Sequence, residues 1–475
     1  MKKLLAVTAF LTIGILAYSQ ISFDKNFEGG FMDSDESFCV VQTGDGGYAM
    51  SGATWTSDDT GYDMTIMKVD ETGNHLWTKT YGAGSWNMEI AYGLTETTDG
   101  GFMICGGTDG FTGNDDDIWI IRLDENGDSL WSNTFGGSSL EYAHAVIQTN
   151  DDGFLIVGST SSFGQGSDDV YLVKTDENGV EQWSKTYGTP SGDVAYSVQQ
   201  TTDDGFIVAG STNGYMDAYI IKTDVNGDSL WTRTFGGGPT DEFFSVKQTT
   251  DGGYITAGAT MSTGAGNYDL WLMKLGANGE MTWDKTFGGE ERDKGWSVVQ
   301  SDDGGYLIVG STESYAQAEE DEGVYIVKTN ASGDTLWTRS YGSPLNDGAH
   351  CAIQTDDGGY AVTGYTYVTG EQYNFYLIKT HGNGTVGTDD RFNHQKTLGL
   401  NIYPNPLKTA ATIEFPNPEN KAYNLTLTNI SGKTLRTINH ITDNKVKIEK
   451  ENLPSGIYFI ELRGDKIFRD RIIVE

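Results

Sequence analysis

Carboxylates recur through this 475-residue chain at fixed spacings, and their number and placement make them the first candidates for chemistry. One set, Asp35, Glu89, Glu141, Asp193, Asp241, Asp293 and Asp347, stands just before a short apolar run in each copy of a repeat. A second set, Asp63, Asp117, Asp169, Asp217 and Asp269, precedes another run. Carboxylate oxygens hold hard cations, so a ring of the first set at a channel mouth would bind Ca²⁺ or a cationic ligand. The competing expectation is that each carboxylate caps a turn or pairs with a lysine of its own repeat. Other chemistry is thin. His75, His144, His350, His381, His394 and His440 show no metal-ligand spacing. There is no Gly-x-Ser-x-Gly motif, and sequence alone pairs no carboxylates for acid–base work. Apart from Ca²⁺, no cofactor is expected.

The elements that carry these residues follow from the repeat. A turn Asp opens each copy at Asp45, Asp99, Asp151, Asp203, Asp251, Asp303 and Asp357, a period of 48 to 54 residues that marks a repeat architecture. Each copy holds four runs rich in β-branched and aromatic residues, for example AHAVIQT (143–149), GFLIVGST (153–160), VYLVKT (170–175) and EQWSKTYG (181–188). Joints of Asp, Asn and Gly make them an antiparallel meander, strands a to d. A lone meander has too little core to stand alone. Four strands per copy at this period predict a propeller, and seven copies fit one ring.

The ends of the array explain how such a ring would close. Strand d carries Trp77, Trp131, Trp183, Trp231, Trp283 and Trp337, but the seventh copy stops without one. SFDKNFEGG (22–30) aligns with LWTKTYGAG (76–84), which puts Phe23 in the Trp slot, Lys25 at Lys79 and Phe27 at Tyr81. The expected fold is therefore all-β: a seven-bladed β-propeller closed by the N-terminal strand and followed by a small C-terminal β-sandwich of six strands.

Residues 1–19 read as a cleavable export signal, with Lys2 and Lys3 before an apolar run and small residues at Ala17 and Ser19. The run is shorter than a membrane span needs, and no transmembrane segment is expected. Residues 20–386 form the propeller, 387–397 a polar Gly-bearing linker, and 398–475 the second domain. Residues 20–390 carry 16 Lys plus Arg against 58 Asp plus Glu, a balance of −42, whereas 397–475 come to +2. A surface this acidic repels phosphate backbones and excludes nucleic acid as a partner. Thirteen of those 16 cations stand at two repeat positions, one on strand c and one on strand d, which predicts pairing with blade carboxylates. Cys105 stands where other copies have Val157 and Val309 and reads as core. Cys39 and Cys351 occupy equivalent positions of the first and seventh blades. Export permits a disulfide there, while the separation of inner strands in adjacent blades can forbid one.

In such a fold the a–b and c–d turns share one face, and the b–c and d–a connections the other. The first pair is short and uniform and the second varies, so the variable face is the expected ligand surface. The Asp-Glu-Asn-Gly turns resemble part of an EF-hand loop without its closing Glu, and resemble sialidase Asp-boxes with one residue too many between Gly127 and Trp131. Asp70 to Trp77 resembles a shortened quinoprotein tryptophan motif. The repeat as a whole resembles those of secreted bacterial β-propeller proteins, which implies the fold and no common ligand.

The C-terminal segment is more specific. Tyr403, Pro404, Asn405 and Pro406, then SGIYFIEL with Gly456 and Tyr458, then a basic-apolar final strand resemble the C-terminal sorting domain of type IX secretion. The resemblance implies a Bacteroidota-type bacterium, export through the periplasm to the outer-membrane surface or medium, and handling by the secretion machinery and its sortase. The expected function is a monomeric, non-enzymatic binding protein for a glycan or protein. The alternatives are a hydrolase or lyase acting on an extracellular polysaccharide and a purely structural surface protein.

Overall fold

The computed structural model describes residues 21–27, 35–56, 61–83, 88–108, 116–317, 321–368, 372–386, 401–403, 407–415, 417, 421–429, 433–451, 453–454, 456–464 and 467–474. The export signal, the linker and Pro404, Asn405 and Pro406 lie outside them. All regular structure among the described residues is β-strand, and no helix among them is long and apolar enough to cross a membrane. The chain divides into two units, Met1–Asn393 and His394–Glu475.

The first unit is a β-propeller of seven four-stranded sheets with strands in the order a-b-c-d, six of them continuous meanders. In the third, the strands are Glu141–Gln148, Phe154–Thr160, Asp169–Thr175 and Glu181–Tyr187. Strands b and c are buried along their whole length, and strand d is exposed or half-buried. This explains the unbroken apolar runs of b and c: both faces pack against neighbouring sheets, as where Leu155 and Val157 meet Val198, Phe206 and Val208 of the fourth blade.

In the seventh sheet the fourth strand is Phe23–Phe27, paired antiparallel with Gln372–Thr380. Its register is Phe23 to Lys379, Lys25 to Leu377 and Phe27 to Phe375. The third blade has the same register, Trp183 to Lys174, Lys185 to Leu172 and Tyr187 to Val170. Phe23 is buried with its ring centroid 6.1 Å from that of Tyr48, and Lys25 Nζ donates to Gly73 O at 2.9 Å, both in the first blade. Elsewhere the Trp of strand d fills this slot against the next blade's c–d turn, as Trp131 does against Gly179.

A cycle of hydrogen bonds links the inner strands. The amide of Thr98 donates to Gln148 Oε1 of the next blade at 2.9 Å, and Asn150 to Gln200, Thr202 to Gln248, Thr250 to Gln300 and Asp302 to Gln354 do likewise. Gly44 donates to Glu96 at 2.9 Å, and Asp356 donates to Gln42 at 3.0 Å, returning the cycle to the first blade.

Among its described residues the second unit has seven strands rather than six; the extra one, Asn401–Tyr403, is three residues long, too short to stand out as a period-2 pattern. A three-stranded sheet with Ala410–Glu414 and Lys445–Glu449 and a four-stranded one ordered Thr434–Ile441, Tyr423–Asn429, Gly456–Arg463, Ile467–Val474 share one core. That core includes Leu407, Ile413, Phe415, Leu425, Ile460 and Ile472. Gly456 opens a strand, and Tyr458 is buried with its hydroxyl donating to Pro454 O at 2.7 Å.

Deletion of residues 21–27 is expected to lower the melting temperature sharply, and Phe23→Ala to cost about 3 kcal/mol in denaturant unfolding, because it empties a slot that aromatics fill throughout the array. An unchanged melt of the deletion variant contradicts the role of this strand.

Candidate functional site

The seven carboxylates of the first set are buried, 0 to 2 % exposed, and point into their own sheets rather than into solvent. Glu141 shows the arrangement. Its Oε1 accepts from Thr160 Oγ1 at 2.6 Å and Ser162 N at 3.0 Å, and its Oε2 from Gly137 N at 2.8 Å. The carboxylate thus ties the start of strand a to the end of strand b and to the d–a connection. Asp193 accepts from Thr212, Asn213 and Thr189, Asp241 from Thr260, Ser262 and Gly237, and Asp293 from Thr312, Ser314 and Gly289. Glu89 accepts from Thr108 at 3.0 Å, and the amide of Asp35 donates to Tyr373 O at 2.7 Å. Asp347 accepts from Ser343 N at 2.5 Å, and burial pushes its carboxyl up to about 7.

The second set caps the b–c loops. Asp169 Oδ2 accepts from the amides of Gln165 and Gly166 at 2.8 Å, and Asp269 from Ala265 at 2.9 Å. Thr56 Oγ1 donates to Asp63 at 2.8 Å and Asn213 Nδ2 to Asp217 at 3.1 Å, while Asp117 is 5 % exposed. Both sets converge on the glycine after strand d. A Cβ on Gly188 would lie 2.4 Å from Asp169 Oδ1 and 2.6 Å from Asp193 Oδ2.

The repeated cations are paired in two ways. Each strand-c cation bonds the a–b turn Asp of its own blade: Lys68 to Asp45 at 2.8 Å, Arg122 to Asp99 at 2.6 Å, Lys174 to Asp151 at 3.0 Å, and so on to Lys379 and Asp357 at 3.0 Å. The turn carboxyls are held below the usual range: against the opposing effect of burial, bonds from Lys68 and Thr43 bring Asp45, and bonds from Thr249 and Lys274 bring Asp251, to about 2. Strand-d cations instead cross to the next blade's c–d turn, as Lys79 does to Asp128 at 2.7 Å and Lys185 to Asp228 at 2.9 Å. The Asp-Glu-Asn-Gly segments are turns: Asp124 Oδ1 accepts from the amides of Asn126 and Asp128 at 2.9 and 2.8 Å.

A site that sequence reasoning missed lies on the axis. Strand a of every blade breaks register around one residue, for example between Ala143 and Ala145, and that residue is aromatic each time: Phe38, Tyr92, His144, Tyr196, Phe244, Trp296 and His350. A bulged residue leaves the ladder and its side chain is re-aimed. Here it enters the channel. The ring centroids run Phe38–Tyr92 4.9 Å, Tyr92–His144 5.2 Å, His144–Tyr196 5.1 Å, Tyr196–Phe244 5.2 Å, Phe244–Trp296 4.2 Å, Trp296–His350 5.7 Å and His350–Phe38 4.8 Å. This is a closed collar of seven rings at ordinary aromatic separations. Opposite the bulge stands a strand-b glycine. A Cβ on Gly158 would lie 1.7 Å from Tyr142 O, so only glycine admits the bulged strand. The signal was present in the sequence, because the seven residues recur at the same steps as the turn Asp.

Above the collar, strand a enters from the variable face. There Glu36 of the first blade and Glu322 of the sixth flank Tyr365 and His350 of the seventh. Tyr365 Oη donates to Glu322 Oε2 at 2.6 Å, and burial together with Glu322 raises the Glu36 carboxyl. Burial also raises Glu242 and lowers His350. Lys294 Nζ lies 4.9 Å from the Tyr268 ring centroid and 5.5 Å from that of Trp296. Among the described residues, tyrosines, carboxylates and Lys294 thus gather above the collar rings at this mouth of the channel.

Residues 401–475 match the family described as the secretion system C-terminal sorting domain. The protein is exported, to the cell surface or the medium, by the route this domain addresses. No curated protein matches the chain. Among solved structures it is similar to Sqt1 from Chaetomium thermophilum (13 % identity, TM-score 0.43, 77 % of this chain and 87 % of that one). It is also similar to YCF48 bound to D1 peptide (8 %, 0.46, 79 % and 99 %) and to the β-propeller domain of the trilobed protease from Pyrococcus furiosus (12 %, 0.35, 68 % and 89 %).

Two outcomes follow. Ca²⁺ added after EDTA is expected to leave the melting temperature within about 1 °C, because a cation bound only by the folded state would raise it by mass action. A large Ca²⁺-dependent rise would mean that the buried carboxylates exchange their blade donors for metal. Burial also lowers His144 from 6.5 to about 4. The unfolded chain therefore binds a proton that the folded chain refuses between those values, and stability falls as pH drops through that window. His144→Phe, matching Phe38 and Phe244, is expected to remove up to about 3 kcal/mol of that loss. Equal pH profiles for variant and wild type would overturn this account of His144.

Proposed function

We propose that the mature protein is a secreted or surface-displayed binding module that captures an extracellular glycan in the channel mouth above the aromatic collar. In this reading residues 1–19 are removed on export, 20–386 form a propeller closed by the N-terminal strand, and 387–397 tether a sorting sandwich of residues 398–475 to it. The sorting domain engages the secretion machinery and its sortase. The collar carries the binding reading. A channel ringed by seven touching aromatic side chains, with tyrosines and carboxylates above them, offers what sugars bind: aromatic faces for C–H surfaces and carboxylates and hydroxyls for the sugar hydroxyls. The burial of the repeated carboxylates supports a structural role for them, as staples of each blade, and leaves Glu36, Glu242 and Glu322 as acidic groups of the site among the described residues.

One observation favours a second reading, a glycoside hydrolase. Glu36 is raised by burial and by the neighbouring Glu322 carboxylate, and a raised acid beside a second carboxylate is what glycosidic cleavage uses.

The two are separated by assaying the full-length chain against arrayed polysaccharides for both binding and release of reducing ends. Binding without release is expected, weakened about tenfold or more by Trp296→Ala, since an aromatic anchor carries most of the energy of such a contact. Reducing ends that disappear in Glu36→Gln would make the protein a hydrolase. Binding that Trp296→Ala leaves intact would move the site off the channel mouth.

A further inference from the structure

We propose that Cys39 and Cys351 become a disulfide in the exported protein, a covalent latch between the first and seventh blades. Both follow the bulged collar residue of their strands, and their Sγ atoms lie 3.8 Å apart. A disulfide spans about 2.05 Å, so each sulfur has to move by only about an ångström. The inner strands come this close at other junctions too. Where the same position is serine, its Oγ accepts from the next blade's strand-a amide at 3.2 Å: Ser197 from Val246, Ser245 from Val298 and Ser297 from Ala352. Gly93 and Ala145 complete the set, so the repeat places two sulfurs face to face at one junction, between the blades at the two ends of the array. That junction is otherwise held by packing and by hydrogen bonds, among them Asp356 N to Gln42 Oε1 at 3.0 Å, Ser37 Oγ to Gly364 O at 2.7 Å and Lys25 Nζ to Gly73 O at 2.9 Å. Cys105 is buried in the second blade with Gly93 and Ala145 as its neighbours.

The chemistry fits the position. The hydrogen bond from Cys39 lowers the Cys351 thiol against the opposing effect of burial, and Lys247 adds to the lowering, while Cys39 is raised. Cys351 is therefore the attacking thiolate. It displaces one sulfur of an oxidised thiol–disulfide carrier in the export compartment and forms a mixed disulfide. Cys39 then loses its proton, attacks the Cys351 sulfur and releases the carrier's second sulfur. The carrier accepts two electrons and two protons, and the chain gains one S–S bond.

The test uses full-length protein recovered from an oxidising compartment, denatured without reductant and alkylated. One labelled cysteine, Cys105, and a linked peptide pair holding Cys39 and Cys351 are expected, with three labelled cysteines after reduction. Dithiothreitol is expected to lower the melting temperature by roughly 5 °C or more, as loss of a cross-link between residues 312 apart requires, and to leave Cys39→Ser and Cys351→Ser unmoved. Serine already stands at this position in three blades, so both variants should fold. Three labelled cysteines without reductant, or a thiol-induced shift that persists in Cys39→Ser, would overturn the latch. The labelling needs no variant, and neither measurement depends on what the channel mouth binds.

Discussion

One unpaired residue in strand a of each sheet turns a side chain to the axis, and because all seven are aromatic their rings touch in a cycle that only seven sheets in a closed ring can make. Other features follow from this bulge. It draws strand a against strand b so tightly that the facing residue has to be glycine, as at Gly158. It brings the next residue of each inner strand within reach of the neighbouring blade, which is why Ser245 bonds Val298 and why Cys39 meets Cys351. It lines the channel with a continuous collar of seven rings.

The electrostatics follow the same economy of repetition. A propeller with 16 Lys plus Arg against 56 Asp plus Glu over residues 20–386, a balance of −40, would repel itself if its carboxylates were left in solvent. The first set is instead taken inside and given hydroxyl and amide donors, and the a–b turn set is matched one for one with a buried lysine or arginine of strand c. Burying a lysine stem while its ammonium reaches a half-exposed turn keeps desolvation low and fixes the hairpin. The strand-d cations do a different job, since their partners lie on the next blade. Lys79 with Asp128 and Lys185 with Asp228 are exposed pairs that each contribute little alone, and they matter as part of an interface repeated around the ring.

The parts of this design visible in the sequence are those that repeat by residue type. The strand runs, the turn Asp, the Trp of strand d and Phe23 as its stand-in all could be aligned by eye, and the register of Phe23 with Lys379 is the one that alignment implies. The collar repeats by shape rather than by type, since Phe, Tyr, His and Trp share a ring and little else, so in the sequence His144 and His350 stand only as histidines without metal-ligand spacing. The carboxylates were misleading for a physical reason. An acid two residues before a strand is equally suited to a channel mouth and to the inside of a hairpin, and the choice rests on Thr160 and its equivalents at the end of strand b, far enough along the chain to hide the partnership. The bulge, which no residue type announces, decided how close the cysteines come.

The candidate site and the ends of the array fall at the same place. Glu36 comes from the first blade, Tyr365 and His350 from the seventh and Glu322 from the sixth, and the strand that completes the seventh sheet is the first one of the propeller to be synthesised. The contacts that assemble this side of the channel mouth therefore join residues more than 300 positions apart, the kind of non-local pairing that forms late in folding. The stacking of His350 on Phe38 closes the collar between the seventh and first blades. In the proposed function, ligand capture therefore depends on the ring being complete.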